Sequence, residues 1–317
     1  MKQEVDVKWC SSAPANLMLM GEHSVVDGHS AIACALSQRL RIHWQTRQDS
    51  KIIIKSELSH FQTSLADLAH CDFPPQLNWV IRCLQSDPSN LKTGLNLQIE
   101  SDFAETLGLG SSAAVLAAMI GGLDHLSNRN RTVHQQFKAG LKIIHQIQGQ
   151  GSGTDLAASL SGGIIHFDPN RTQIEKSETQ LALSLVYSGY KTPTATVLQQ
   201  VANQWADTPQ QLHSLYQLMG STTELAYQAL CQQNWPGFAQ QMNRYQGLMD
   251  TLGVNDATLS HLVYALRKDP NIAASKISGS GLGDCVIGLG EMAEDCLAEH
   301  QKIHIQVQPL GLNIITL

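Results

Sequence analysis

Apolar and polar positions alternate repeatedly near the start of the chain, in residues 5–9 (VDVKW), 15–20 (ANLMLM), 40–46 (LRIHWQT), 51–58 (KIIIKSEL) and 95–101 (LNLQIES). A period of two puts every second side chain on one face, so these stretches predict strands. Helices are predicted between them, over 30–36 after a turn at Asp27-Gly28, over 75–84 and over 111–126. The last is apolar or small nearly all round, the pattern of a helix buried on every side. A further helix is predicted over 133–147, a glycine-rich stretch at 149–155 (GQGSGTD) opens a short one, and 162–169 (GGIIHFDP) reads as a strand closed by a turn.

The polar run 170–180 has no apolar period and predicts a hinge or boundary. A strand at 181–188 then begins a second half, with helices over 194–205, 208–231, 236–252 and 256–266. Two strands flank a glycine turn in 273–289, and strands at 304–311 and 313–317 close the chain. The expected class is α+β in two domains, 1–178 and 179–317.

Composition narrows the partners. With 43% hydrophobic and 15% charged residues, the chain is too apolar for disorder. A net charge of -6 with scattered Lys and Arg offers no stripe for nucleic acid and no polybasic membrane anchor, which leaves a small molecule as the expected partner. The first residues show no leader pattern, so a cytoplasmic protein is expected. Seven cysteines without a C-x-x-C pair fit reduced core thiols. HExxH, GxxxxGK[ST] and GxSxG are all absent from the sequence.

Three glycine loops remain. In residues 106–123, Gly108, Leu109, Gly110, Ser111, Ser112 and Ala113 stand between a strand and a long helix. Glycines let backbone approach an anion, the first helical turn presents free N–H groups, and a serine hydroxyl can bind phosphate or Mg²⁺. A helix cap with tight packing is the plainer alternative. The stretch also matches GxGxx[GA], yet 128–136 lacks the acid that a dinucleotide fold places after its second strand. A second loop crowds Gly279, Gly281 and Gly283 between apolar strands, as a ligand loop or a simple hairpin would. In the third, Asp155 follows glycines at a helix start, where an N-cap is the plain reading.

Together with SAPANLMLMGEHSVVDGHSAIACAL (12–36), these loops resemble, in order and spacing, the motif set of the GHMP kinases, over nearly the whole chain. GEHSVVDGHSAIA (21–33) is similar to the form carried by the mevalonate kinases within that family. The resemblance implies a two-domain fold, with an N-terminal domain like domain 2 of ribosomal protein S5 and a C-terminal ferredoxin-like α/β sandwich. It implies ATP and Mg²⁺ as cofactors, mevalonate as acceptor and a homodimer. By position, Gly108 to Ala113 would wrap the ATP phosphates with Ser111 or Ser112 on the metal, and Gly279 and Gly281 would close over them. Asp155 would face the acceptor hydroxyl as the catalytic residue, with Glu22 and His23 in the acceptor pocket.

The pattern departs from the family at two places. Asn16 stands where the family carries a lysine, and Lys191 is the candidate substitute. Residues 128–154 hold no acid for Mg²⁺, and Ile144 or His145 falls where a glutamate is expected, which leaves the metal to a serine, Asp155, the phosphates and water. SGTDLAAS and Asp284-Cys285 lean toward phosphomevalonate kinases, whereas Gly21-Glu22-His23 leans toward mevalonate. Another sugar or polyol kinase and a nucleotide-binding pseudokinase are the further alternatives.

Overall fold

The computed structural model describes residues 7–177 and 179–317. Val5 and Asp6 of the first expected strand, and Glu178 at the expected boundary, lie outside them. Residues 15–20 join the stretch before them in one long strand, β1 (Lys8–Met20), followed by β2 (Ala31–Thr46), β3 (Lys51–Lys55) and β4 (His60–Ser64). Then come α1 (Asn78–Ser86), β5 (Leu95–Ser101), α2 (Ser111–Leu126), α3 (Val133–Gln148), α4 (Thr154–Ser161), β6 (Ile164–Asp168) and β7 (Gln173–Ser177). The second half contributes β8 (Leu183–Tyr187), α5 (Thr194–Gln204), α6 (Pro209–Cys231), α7 (Trp235–Leu252), α8 (Ala257–Lys268), β9 (Ala274–Ser278), β10 (Cys285–Leu289), β11 (Lys302–Ile303) and β12 (Asn313–Thr316).

The first sheet has the order β12-β1-β2-β5-β3-β4, with β6 paired to the start of β2 and β7 to β6. The second is antiparallel in the order β11-β8-β10-β9. The chain therefore changes sheets between β7 and β8, and its last strand returns to β1. As its composition predicts, α2 is buried on nearly every side and lies against the first sheet. A Cβ on Gly122 would come within 2.2 Å of the Trp44 ring, so only glycine allows this approach. Trp44 also stacks on Trp9 at 5.4 Å, and truncating a core tryptophan of this kind costs about 3–5 kcal/mol. No helix among the described residues is long and apolar enough to cross a membrane.

Two expectations are corrected, for 30–36 and 304–311, and the expected boundary run gains an element. Residues 30–36 are not a helix: 31–36 are the fully buried start of β2, covered on both faces, and such a continuous run of small apolar residues carries no period to separate strand from helix. The polar run 170–180 contains β7, whose ladder with β6 needs no apolar alternation because its outer face is wet. Residues 304–311 form no regular strand; they cross from the second sheet to the first, held by Ser37 N to Gln306 O at 2.9 Å, Gln308 N to Ala35 O at 2.9 Å and Gly163 N to Gln308 O at 2.7 Å.

Candidate active site

Pro14 interrupts β1, since it has no N–H to donate, and the register with β2 shifts between Pro14 and Asn16. The shift turns Asn16 toward the glycine loop. Asn16 N donates to Leu109 O at 3.1 Å, and its Nδ2 donates to Ser159 Oγ at 2.9 Å and Gly110 O at 3.3 Å. Asn16 is thus a structural tie as well as a wall of the cleft, and its Oδ1 is left without a partner. Gly110 has φ +66° and a Cβ there would lie 2.2 Å from the Asn16 amide, so both conformation and space demand glycine. Helix α2 begins at Ser111, and Ser111, Ser112 and Ala113 of its first turn, where N–H groups lack intrahelical partners, line the same cavity.

The Gly279–Gly283 loop braces this one. Ser278 Oγ donates to Met18 O at 3.0 Å, Cys285 Sγ lies 3.3 Å from Leu107 O, and a Cβ on Gly108 would meet Asp284 Oδ1 at 2.8 Å. The loop after β8 is tied in by Asp284 N to Tyr190 O and Ser188 N to Asp284 O, both 2.9 Å. That tie carries Lys191 into the site, 3.6 Å from Asp284 Oδ1. A cavity of about 200 Å³ results, lined by Asn16, Gly108, Gly110, Ser111, Ser112, Asp155, Lys191, Gly279 and Asp284 among others.

A second cleft of about 570 Å³ adjoins it, sharing Ser112, Asp155 and Gly279. Its walls include Met18, Trp79, Leu116, Ile144 and Leu198, and its polar groups include Glu22, His23, Gln148 and Thr194. His23 takes φ +62°, unusual for a residue with a side chain, and its Nε2 donates to Ser280 O at 2.8 Å. Burial lowers its pKa, so the ring is neutral at pH 7 and Nδ1 is a bare acceptor. Glu22 is buried, with Oε1 2.5 Å from Lys276 Nζ and Oε2 accepting no well-formed hydrogen bond. A larger open groove of about 690 Å³ at Trp235 and Pro236 carries none of the three loops.

Asp155 lies in the first turn of α4, but the N-cap is Gly153 and no side chain caps the helix, so the plain capping role is excluded. Asp155 is solvent-exposed, and its carboxylate stands where the two cavities meet, with α4 buried behind it. Desolvation, reinforced by the charge of Glu22 and opposed by that of Lys191, pushes its pKa up to about 6. An acid so placed is ionised at pH 7 and more basic than an ordinary aspartate, as suits a group that receives a hydroxyl proton.

The structure brings Asn16, Glu22, His23, Gly108, Gly110, Ser111, Ser112, Ala113, Asp155, Lys191 and Gly279 to the two joined cavities. Leu109 is buried beneath its loop, offering Asn16 its carbonyl, and Gly281 packs on Val254, where a Cβ would come within 2.4 Å of the carbonyl. Ile144 faces the cleft where a carboxylate was expected, while His145 points to Gly151 O at 3.0 Å. Among the described residues no cluster of three or more His, Cys, Asp or Glu could hold a metal alone. The serine and carboxylate oxygens, including Asp284 Oδ1, which accepts no hydrogen bond and is held only by its ion pair with Lys191, fit a Mg²⁺ ion held chiefly by phosphates. Sequence reasoning missed Gln148, Thr194 and Lys276. For Lys276 a signal existed: a lone charge in an apolar strand beside a glycine loop.

The family described as GHMP kinases N terminal domain matches residues 77–163, and GHMP kinases C terminal matches 226–300. A mevalonate kinase of Methanothermobacter thermautotrophicus is 30% identical over 287 residues, covering 89% of this chain and 90% of the relative. One of Pyrococcus furiosus is 28% identical over 302 residues, covering 89% of each. The solved structure of the Methanococcus jannaschii mevalonate kinase has the same fold, with a TM-score of 0.79 at 22% identity over 94% of this chain and 98% of that one.

Proposed function

The chain belongs to the GHMP kinase family, and from that premise we propose that it transfers the γ-phosphoryl group of ATP to the primary hydroxyl of mevalonate. It is an ATP-dependent small-molecule kinase. The observation that carries the acceptor assignment is Asp155, a carboxylate of raised basicity shared by the glycine-loop cavity and the cleft of Glu22 and His23.

Gly108, Gly110, the first turn of α2, Gly279 and the brace from Gly281 wrap the phosphates, and Ser111 or Ser112 would hold Mg²⁺. The metal, when bound, neutralises charge between the phosphates. Lys191 supplies the cation that Asn16 lacks, since it lies in the phosphate cavity and acts electrostatically on Asp155. Phosphoryl transfer asks mainly for alignment and charge. The bond from the γ-phosphorus to the β,γ-bridging oxygen breaks, one to the acceptor oxygen forms in line, and Asp155 takes the hydroxyl proton. Glu22 and His23 Nδ1 accept hydrogen bonds from the acceptor.

Mevalonate brings one carboxylate to this cleft, and an acceptor that also carries a phosphate brings more negative charge still. No lysine or arginine among the described residues lines it, whereas two carboxylates do. This reading divides the chain into domains 1–178 and 179–317, a division supported by the change of sheet between β7 and β8, with β12 as a returning arm. The same reading carries a cytoplasmic location and, by family resemblance, a homodimer. Coupled ADP release from Mg-ATP with mevalonate, phosphomevalonate, galactose or no acceptor tests the assignment. Mevalonate alone should support turnover. Turnover with phosphomevalonate only would replace the acceptor, and ATP binding without turnover on any acceptor would point to the pseudokinase.

A further inference from the structure

Lys276 sits in β9 with no accessible surface, an unfavourable place for an ammonium group. Its Nζ donates to Glu22 Oε1 at 2.5 Å and to Ile277 O, and lies 5.5 Å from the centroid of the Tyr245 ring. Tyr245 OH in turn donates to Glu22 O at 2.7 Å. Glu22, on the loop after β1, is therefore gripped at backbone and side chain by α7 and β9 of the other half.

The other carboxylate oxygen is what gives this grip a consequence. Glu22 Oε2 is buried and accepts no well-formed hydrogen bond, although the backbone of Gly279 is close to the carboxylate, and Glu22 is one of the residues that line the acceptor cleft. A pair kept only for folding would have its second oxygen satisfied as well, because a bare buried acceptor is unfavourable. Burial draws both groups toward their neutral forms and their contact opposes it. Wherever the shared proton sits, Oε1 is engaged and Oε2 keeps one orientation.

We propose that Lys276 is a positioning residue for the acceptor: it fixes Glu22 across the seam between the halves so that Oε2 accepts a hydrogen bond from an acceptor hydroxyl. The site for the acceptor is then complete only where β9 meets the loop after β1. This rests on the kinase assignment above but not on which hydroxyl compound is the acceptor.

The test is a cycle of Lys276→Met, Glu22→Gln and the double variant in full-length protein, with KM for acceptor and for ATP and kcat measured separately. If Lys276 acts through Glu22, each single variant and the double lose the same acceptor kcat/KM, about 10- to 100-fold, mostly in KM, while KM for ATP stays within about twofold. Lys276→Met with near-parental acceptor KM overturns the proposal, and so do losses that multiply in the double variant. If Lys276→Met does not fold, the double variant, which buries no unpaired charge, is compared with Glu22→Gln. Equal acceptor KM supports the proposal; a worse KM, or a double variant that also fails to fold, overturns it. If the parent releases no ADP with mevalonate, the acceptor assignment is what fails, and the cycle is read on the acceptor that does support turnover.

Discussion

At the phosphate end of the cleft, Gly108, Gly110 and Gly279 take positive φ and present backbone, and the loops are braced by Asn16, Ser278 and Asp284. At the acceptor end, the working groups are the side chains of Glu22, His23 and Asp155, and two of their buried atoms are left bare. One end is fixed by the backbone conformation of its glycines together with these braces from β1 and the Gly279–Gly283 loop. The other is poised because distant residues hold unsatisfied groups in place, and such groups gain most when a ligand arrives.

The sharpest way to break this comparison is at the residue both ends share. Asp155→Asn keeps the shape but cannot accept a proton, so kcat should fall about 10³-fold with KM for ATP nearly unchanged, as steady-state ADP release would show. At the phosphate end, Gly110→Ala should weaken ATP binding about 100-fold by titration, because φ +66° and the Asn16 amide 2.2 Å from the new Cβ both oppose it. Gly149→Ala is the control: it has a positive φ but nothing within 4 Å, so ATP affinity should change by less than about threefold.

A smaller effect sharpens the electrostatics. With Asp155 near 6, acceptor kcat/KM should fall about tenfold per pH unit on the acid side of 6. Lys191→Met removes a charge that lowers this value and Glu22→Gln one that raises it, so the acidic limb should move to higher pH in the first and lower pH in the second. The smallest effect is on stability. Because the folded state holds the Asp155 proton more tightly than the unfolded chain, the ionised side chain is destabilising above about pH 6, and that penalty is absent once both states are protonated. Asp155→Asn should therefore raise Tm at pH 7.5, with the gain fading as pH falls through 6 toward 4.

How much of this was legible in the sequence follows the same division. Gly108, Gly110 and Asp155 could be read because a glycine loop ahead of a helix is a local pattern, even though the residues that brace it, Asn16 and Asp284, are distant in sequence. The helices of the second half could be read from their period. The start of β2 could not, since burial on both faces removes alternation, nor could β7, whose stability comes from its ladder with β6. Lys276 stood out only as a lone charge in an apolar strand, and its role could not be read because its partner, Glu22, lies 254 residues away and meets it only in the folded chain. Asn16, where a cation was expected, proved to be a tie to the glycine loop, while Lys191 reached the cavity through loop contacts that no spacing encodes.

The most direct test of the account is mevalonate-dependent ADP release followed across pH 5 to 8 in the parent and in Asp155→Asn. The account predicts turnover in the parent with an acidic limb near 6 and almost none in the variant at any pH. Variant turnover within about tenfold of the parent, with the limb unmoved, would contradict it, because the acidic limb would then belong to some group other than Asp155.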